Sequence, residues 1–190
     1  MSSLIEQARA WVSDNYSYNA NHLLRAQDWL LRLKPDASEA LILATLTHDM
    51  ERAFPGPDSP QEDLTRGVDD PVYNRAHAER SARVVSTFLR AQGASEALIA
   101  DVARLVRAHE EGGWPDADLV QAADSLSFLE VNVDLFLSWI PTSHNGWTSD
   151  HVRAKFDWMY QRISVETVRT LATPLYHAAI QKVDAYGEGR

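Results

Sequence analysis

Apolar residues recur along this chain at the spacing of a helix face almost from end to end. Ile5, Ala8 and Val12 share one stripe behind Ser3, a residue suited to cap a first helix. His22, Ala26, Trp29, Leu30 and Leu33 share another, predicting a helix from about Asn19 to Leu33. The run Leu41-Ile42-Leu43-Ala44-Thr45-Leu46-Thr47 reads as a buried helix, capped by Asp36 or Ser38 and ending near Arg52 ahead of Pro55. A fourth helix, near Asn74 to Gln92, buries Val84, Val85, Phe88 and Leu89 and is stopped by Gly93. Ser95 caps a fifth, whose stripe of Leu98, Ile99, Val102, Leu105 and Val106 is continued by His109. A sixth spans about Asp116 to Trp139, followed by a turn from Pro141 to Gly146. Two more run near Ser149 to Arg162 and Val165 to Tyr186, the last bent or restarted at Pro174. No strand alternation or internal repeat interrupts the pattern. The expected fold is all-α, a single-domain helical bundle over residues 1–190.

One stretch breaks the periodicity. Between Phe54 and Val72 lie Pro55, Gly56, Pro57, Pro60, Gly67 and Pro71, which predict a long loop. Loops of this length between rigid helices often cover or select a ligand. Composition narrows the ligand. A formal charge of -9 argues against nucleic acid or an anionic membrane as partner. A small anionic substrate stays open, because bound metals and local arginines reverse the sign inside a pocket. Lysine is scarce, occurring only at Lys34, Lys155 and Lys182. There is no cysteine, hence no disulfide, thiolate metal site or cysteine nucleophile. Met1 to Glu6 lacks the pattern of a signal peptide and no apolar run is long enough to span a bilayer, so the expected location is cytoplasmic.

The candidate chemistry lies in His48 and Asp49, adjacent at the inner end of the most apolar helix. Two such groups are costly there unless something pairs with them, and a cation would do so. His22, His77, His109 and Asp124 are ligand-type residues on or near the inward stripes of the other central helices, with His77 read as the start of the fourth. Mixed imidazole and carboxylate ligation suits one or two divalent transition metals: Fe, Mn, Zn, Ni or Co. His144, His151 and His177 fall outside this set, the first two as surface or pocket-rim residues.

At these positions the chain resembles the HD-domain superfamily of metal-dependent phosphohydrolases. A histidine on an early helix, an adjacent His-Asp pair on the next and a distant aspartate match His22, His48-Asp49 and Asp124. Leu43 to Asp49 resembles the apolar run into the pair, and Ala122-Ala123-Asp124-Ser125-Leu126 resembles the segment around the last ligand. The likeness covers roughly residues 19 to 130, leaving the helices of about 149 to 188 outside that core. His77 and His109 fall where the dinuclear, six-ligand branch has its extra histidines. The resemblance therefore implies that His22, His48, Asp49 and Asp124 hold a first metal, and that Asp49 bridges to a second held by His77 and His109.

After the pair, many dinuclear members have an aliphatic residue, a glycine and a lysine or histidine, whereas this chain has Met50-Glu51-Arg52. Arg52 takes the basic position, as a catalytic and substrate-binding group able to hold a phosphate or phosphonate bidentately. Glu51 is either a proton-transfer group or, the favoured alternative, a solvated glutamate at a helix end. Arg80, the Phe54–Val72 loop and the Trp147–Lys155 stretch are candidates for substrate contacts.

The expected function is metal-dependent hydrolysis of a small phosphorylated metabolite or nucleotide by a metal-activated hydroxide, with Asp49, Arg52 and Glu51 as the catalytic candidates. One alternative is a di-iron oxygenase cleaving a phosphonate or polyol, which the same six ligands would serve. Another is a non-catalytic metal- or nucleotide-binding sensor that meets a partner through Trp139, Trp147 and Trp158. A homo-oligomer is compatible with each.

Overall fold

A computed structural model of the chain describes residues 3–142 and 144–188. Met1, Ser2 and Ser143, which enter the readings of the N-terminal stretch and of the Pro141–Gly146 turn, lie outside the described residues, as do Gly189 and Arg190. Nine α-helices run among the described residues: α1 Leu4–Asn15, α2 Ala20–Leu33, α3 Glu39–Thr47, α4 Pro71–Ala91, α5 Glu96–Ala108, α6 Pro115–Val131, α7 Val133–Trp139, α8 Ser149–Gln161 and α9 Glu166–Glu188. Single 3-10 turns occupy Met50–Ala53, Leu64–Arg66 and His144–Gly146. The all-α expectation holds, and no strand occurs among the described residues.

Local chemistry sets most of the boundaries. The Ser3 hydroxyl accepts from the Glu6 amide at 3.3 Å while the Glu6 carboxylate accepts from the Ser3 amide at 2.7 Å, a reciprocal cap at the start of α1. Ser38, rather than Asp36, caps α3, and Ser95 caps α5. Asp36 is instead paired with Lys34 at 3.1 Å. At α4 the start expected near Asn74 is moved back to Pro71. Asp70 accepts from the Val72 amide at 3.0 Å, and Pro71 stands at the first helical position, where its missing N–H costs nothing. His77 consequently lies well inside α4 and not at its start.

Two further boundaries depart from the pattern. The helix expected to run to Arg52 ends at Thr47, and the chain continues as a 3-10 turn. The Thr45 and Thr47 hydroxyls donate back to the Leu41 and Leu43 carbonyls at 2.9 and 2.7 Å, drawing on acceptors at the end of the helix. The long sixth helix is broken at Asn132 into α6 and α7. The bend keeps Phe136 on the aromatic core: its ring centroid lies 4.9 Å from Phe128, 4.3 Å from Trp139 and 5.0 Å from Trp147. By contrast, α9 continues through Pro174 without a restart.

Helix α3 is apolar on every face and sits at the centre, packed on α1, α2, α5 and α6. Leu41, Leu43, Ala44 and Leu46 are fully buried. Around it α2 packs on α6 and α4 on α5, while α8 and α9 pair with each other and close against α6. The C-terminal ends of α3 and α5 and the inward faces of α2, α4 and α6 therefore meet at one place. Among the described residues no helix is long and apolar enough to cross a membrane.

Candidate metal centre

The break after Thr47 aims both His48 and Asp49 inward. On a continuous helix, neighbours would point about 100° apart. Here His48 caps the C-terminal end of α3, and Asp49 adopts φ -99°, ψ 5° as the chain enters the 3-10 turn. Four imidazoles surround them in a row. Ring centroids are 5.5 Å apart for His22 and His48, 4.9 Å for His48 and His109, and 5.3 Å for His109 and His77. All four residues are essentially buried.

Each ring is held through Nδ1. His48 donates to the Thr45 carbonyl at 2.9 Å and His109 to the Val106 carbonyl at 2.7 Å. His77 donates to the Glu51 carboxylate at 2.9 Å. The Ser127 hydroxyl, 3.0 Å from His22 Nδ1, gives its own proton to the His22 carbonyl at 2.7 Å, so here too Nδ1 is the donor. With Nδ1 engaged on every ring, each imidazole directs Nε2 to the centre, where His77 Nε2 is hydrogen-bonded to Asp49 Oδ1 at 2.8 Å. This is the arrangement that outer partners impose on metal-binding histidines.

The two spacings to Asp124 suit a cation. His22 Nε2 is 3.1 Å and His48 Nε2 is 3.4 Å from Asp124 Oδ1; His77 Nε2 is 2.8 Å and His109 Nε2 is 3.9 Å from Asp49 Oδ1. Two ligands at ~2.1 Å from one ion lie roughly 3.0–3.4 Å apart in octahedral or tetrahedral arrangement. The Nε2 atoms of His48 and His109 are buried and make no hydrogen bond. Buried polar atoms without partners are rare and call for a missing one. His22, His48 and Asp124 form one group able to hold an ion, and His48, Asp49 and His109 form a second. The six residues singled out in the sequence thus come together.

The centre forms part of the wall of a cavity of about 630 Å³. Arg52, Tyr16, Tyr73 and Lys155 line it beside His22, Asp49 and Asp124. Pro55 and Ser59 to Glu62 of the long loop and His144, Asn145 and Trp147 also line it, and the Trp147 indole donates to the Glu62 carboxylate at 2.9 Å across the two segments. His144 lines this cavity, whereas His151 Nδ1 accepts from the Thr148 amide at 3.3 Å in the cap of α8.

A family model described as a domain of unknown function, DUF4202, matches residues 6–170. The chain belongs to this family. Searches of curated proteins and of solved structures gave no match. The matched span takes in all the residues of the candidate centre and also α8, which supplies Lys155 to the cavity wall.

Two residues stand differently from expectation. Glu51 is buried, not solvated. One carboxylate oxygen accepts from His77 Nδ1 and the other from Arg80 Nη1 at 2.8 Å, because the 3-10 turn folds it beneath α4. Arg80 is not among the cavity-lining residues and does not reach toward a substrate. Its guanidinium is taken up by Glu51, by Asp58 at 3.0 Å, and by the Glu51 and Phe54 carbonyls at 2.8 and 2.6 Å. Arg80 therefore positions Glu51, and through it His77. Arg52 does line the cavity: Nη1 donates to the Tyr73 hydroxyl at 3.0 Å and Nε lies 3.4 Å from Asp49 Oδ2.

Two residues with buried side chains near the centre are not among the site candidates that the sequence offers. Arg162, directly after α8, reaches Asp124 and Glu110 with its two Nη atoms and the Ser125 hydroxyl with Nε at 2.9 Å. Glu110 directly follows His109 at the end of α5. Its adjacency to His109 was the available signal; Arg162 had none, since it is a single arginine at a helix end.

Charge in the centre is finely balanced. Burial opposes the charged form of His48, yet the Asp124 and Asp49 carboxylates and the Thr45 carbonyl carry its pKa up to about 9. The neighbouring carboxylates thus favour a proton on His48, and a metal ion binding there must displace it. Metal affinity is expected to rise with pH between neutrality and about 9. Proton release should be measurable as a buffer-dependent enthalpy in calorimetric titration with Mn(II) at pH 7; an enthalpy independent of buffer ionisation would contradict it.

Proposed function

We propose that this protein is a metal-dependent phosphohydrolase acting on a small phosphorylated metabolite or nucleotide. The observation that carries the reading is the convergence of four inward Nε2 atoms with Asp49 and Asp124 at the wall of a cavity that also holds Arg52 and Lys155. His22, His48, Asp49 and Asp124 would hold one divalent transition metal, and Asp49, His77 and His109 a second. A bound ion of this kind lowers the pKa of a coordinated water toward neutrality and so supplies hydroxide.

The remaining work falls to the chain. A cavity of this size fits a small ligand. Arg52, fixed by Tyr73 and facing Asp49, presents a guanidinium to the phosphoryl oxygens. The Lys155 ammonium rests 4.1 Å above the Trp158 ring and adds a second cation on the same wall. Glu51 serves as the clamp on His77 and not as a proton carrier, because both of its oxygens are engaged. Trp147 is buried and lines the cavity together with Trp139, which favours a ligand cavity over a partner-binding tryptophan face. The likeness of the His-Asp pattern to the HD-domain superfamily points the same way, as analogy.

The test is phosphate release from a panel of nucleotides and sugar phosphates with Mn, Co or Ni supplied. Release supported by metal and abolished by chelation is expected. No release, with about two irons per chain and a mixed-valent signal after anaerobic purification, would replace this reading by the di-iron oxygenase. On a released substrate, Lys155→Met should lower kcat/KM by about 10- to 100-fold, the loss of one hydrogen bond from a charged group. The loss should fall mainly on KM, with metal content unchanged. An unaltered KM would remove Lys155 from substrate binding.

A further inference from the structure

We propose that Glu110 is a ligand of the second ion, completing with His77, His109 and Asp49 a seat of two imidazoles and two carboxylates. The inference rests on the metal-dependent reading above and adds a residue to it. Glu110 is held at the centre from two sides. One oxygen is bound by Arg162, and the other, Oε1, lies 3.5 Å from His109 Nε2. That separation is close to the spacing of about 3.4 Å for two ligands on one tetrahedral ion. The ligand atoms of His77, His109 and Glu110 all lie within 4.8 Å of one another, and all three residues are buried.

The independent sign of a missing ligand is His109 Nε2. It is fully buried, it has no hydrogen-bond partner, and its nearest carboxylate oxygens are Glu110 Oε1 and, at 3.9 Å, Asp49 Oδ1. A cation among these atoms would satisfy the nitrogen and both carboxylates together. Arg162 explains how the seat is kept intact. By binding the outer oxygens of both Asp124 and Glu110, it leaves one oxygen of each free to face the imidazoles. It also offsets the negative charge that a fourth acidic side chain adds to Asp49, Asp124 and Glu51. A seat of this donor set takes a divalent transition ion that accepts imidazole and hard oxygen together, such as Mn, Fe or Co.

The experiment is a Co(II) titration of metal-free full-length protein, followed by visible absorption and by elemental analysis after desalting. Wild type should bind two ions. Glu110→Gln, which retains shape and an acceptor for Arg162, should keep the first and bind the second at least ~10-fold more weakly, in the range set by losing a supporting ligand contact. Glu110→Asp keeps the charge but withdraws the oxygen, and should fall between the two. A structure of cobalt-loaded wild type supplies the same answer without a variant: the second ion should lie ~2.1 Å from Glu110 Oε1. Two ions bound by Glu110→Gln with wild-type affinity, or a second ion out of reach of Glu110, would overturn this assignment and leave the metal-dependent reading standing. Failure of wild-type protein to bind any cobalt would overturn both.

Discussion

Asp49→Ala should strip the protein of metal and of activity while leaving its helices in place. Asp49 Oδ1 lies 2.8 Å from His77 Nε2 and 3.9 Å from His109 Nε2, and Oδ2 lies 3.4 Å from Arg52 Nε. Among the described residues it is the carboxylate that faces both the paired histidines and the proposed substrate-binding arginine. Losing an outer-shell partner of a metal ligand already costs 10- to 100-fold in affinity or activity, so loss of a ligand shared by both ions should exceed about 100-fold. Asp49 stands just beyond α3, outside the Leu41–Leu46 core, so the removal opens no cavity in the packed interior. Elemental analysis, calorimetry and far-UV circular dichroism together check the result. Full metal content in the variant would remove the basis for the proposed centre.

Arg162→Met should produce the largest loss of stability. Arg162 is nearly inaccessible and bound to two buried carboxylates, Asp124 and Glu110, each held in its ionised form. Burial disfavours both anions; the Arg162 guanidinium is the largest influence lowering their pKa values against it. Deleting one partner of a buried pair costs about 3–5 kcal/mol, because the remaining charge is stranded. For a chain of this length each kcal/mol shifts Tm by ~2–4 °C, so the metal-free variant should melt roughly 6–20 °C below wild type. Saturating Mn(II) should recover part of the difference, since a bound cation gives the two carboxylates another partner. Differential scanning calorimetry with and without metal distinguishes the outcomes. An unchanged Tm would mean that Arg162 contributes little to the centre. A drop that metal leaves untouched would make it a purely structural brace.

These two residues also mark how far the sequence could be read. Asp49 was legible because it adjoins His48 at the end of an apolar run, where unpaired charge is costly whatever the surroundings. His22, His77, His109 and Asp124 were legible because each lies on or near an inward stripe, and periodicity reports which side of a helix faces the core. Arg162 was not legible. It sits 38 residues from Asp124 and 52 from Glu110, and a terminal arginine looks the same whether it meets solvent or a buried carboxylate. Glu51 was misread for the same reason: its burial depends on α4 lying over the 3-10 turn and on Arg80 reaching across to it.

By itself the amino-acid order determined that the chain is helical, roughly where each helix lies, and which ligand-type residues turn inward, because these follow from local spacing, capping and hydrophobicity. Tertiary structure alone decided that α3 stops before the His-Asp pair and that Glu51 and Arg80 form a clamp. It alone brought Arg162 and Glu110 to the centre and placed a cavity beside it. Such features depend on which helix faces come into contact, and the energy of a buried charge is set by neighbours distant in the chain.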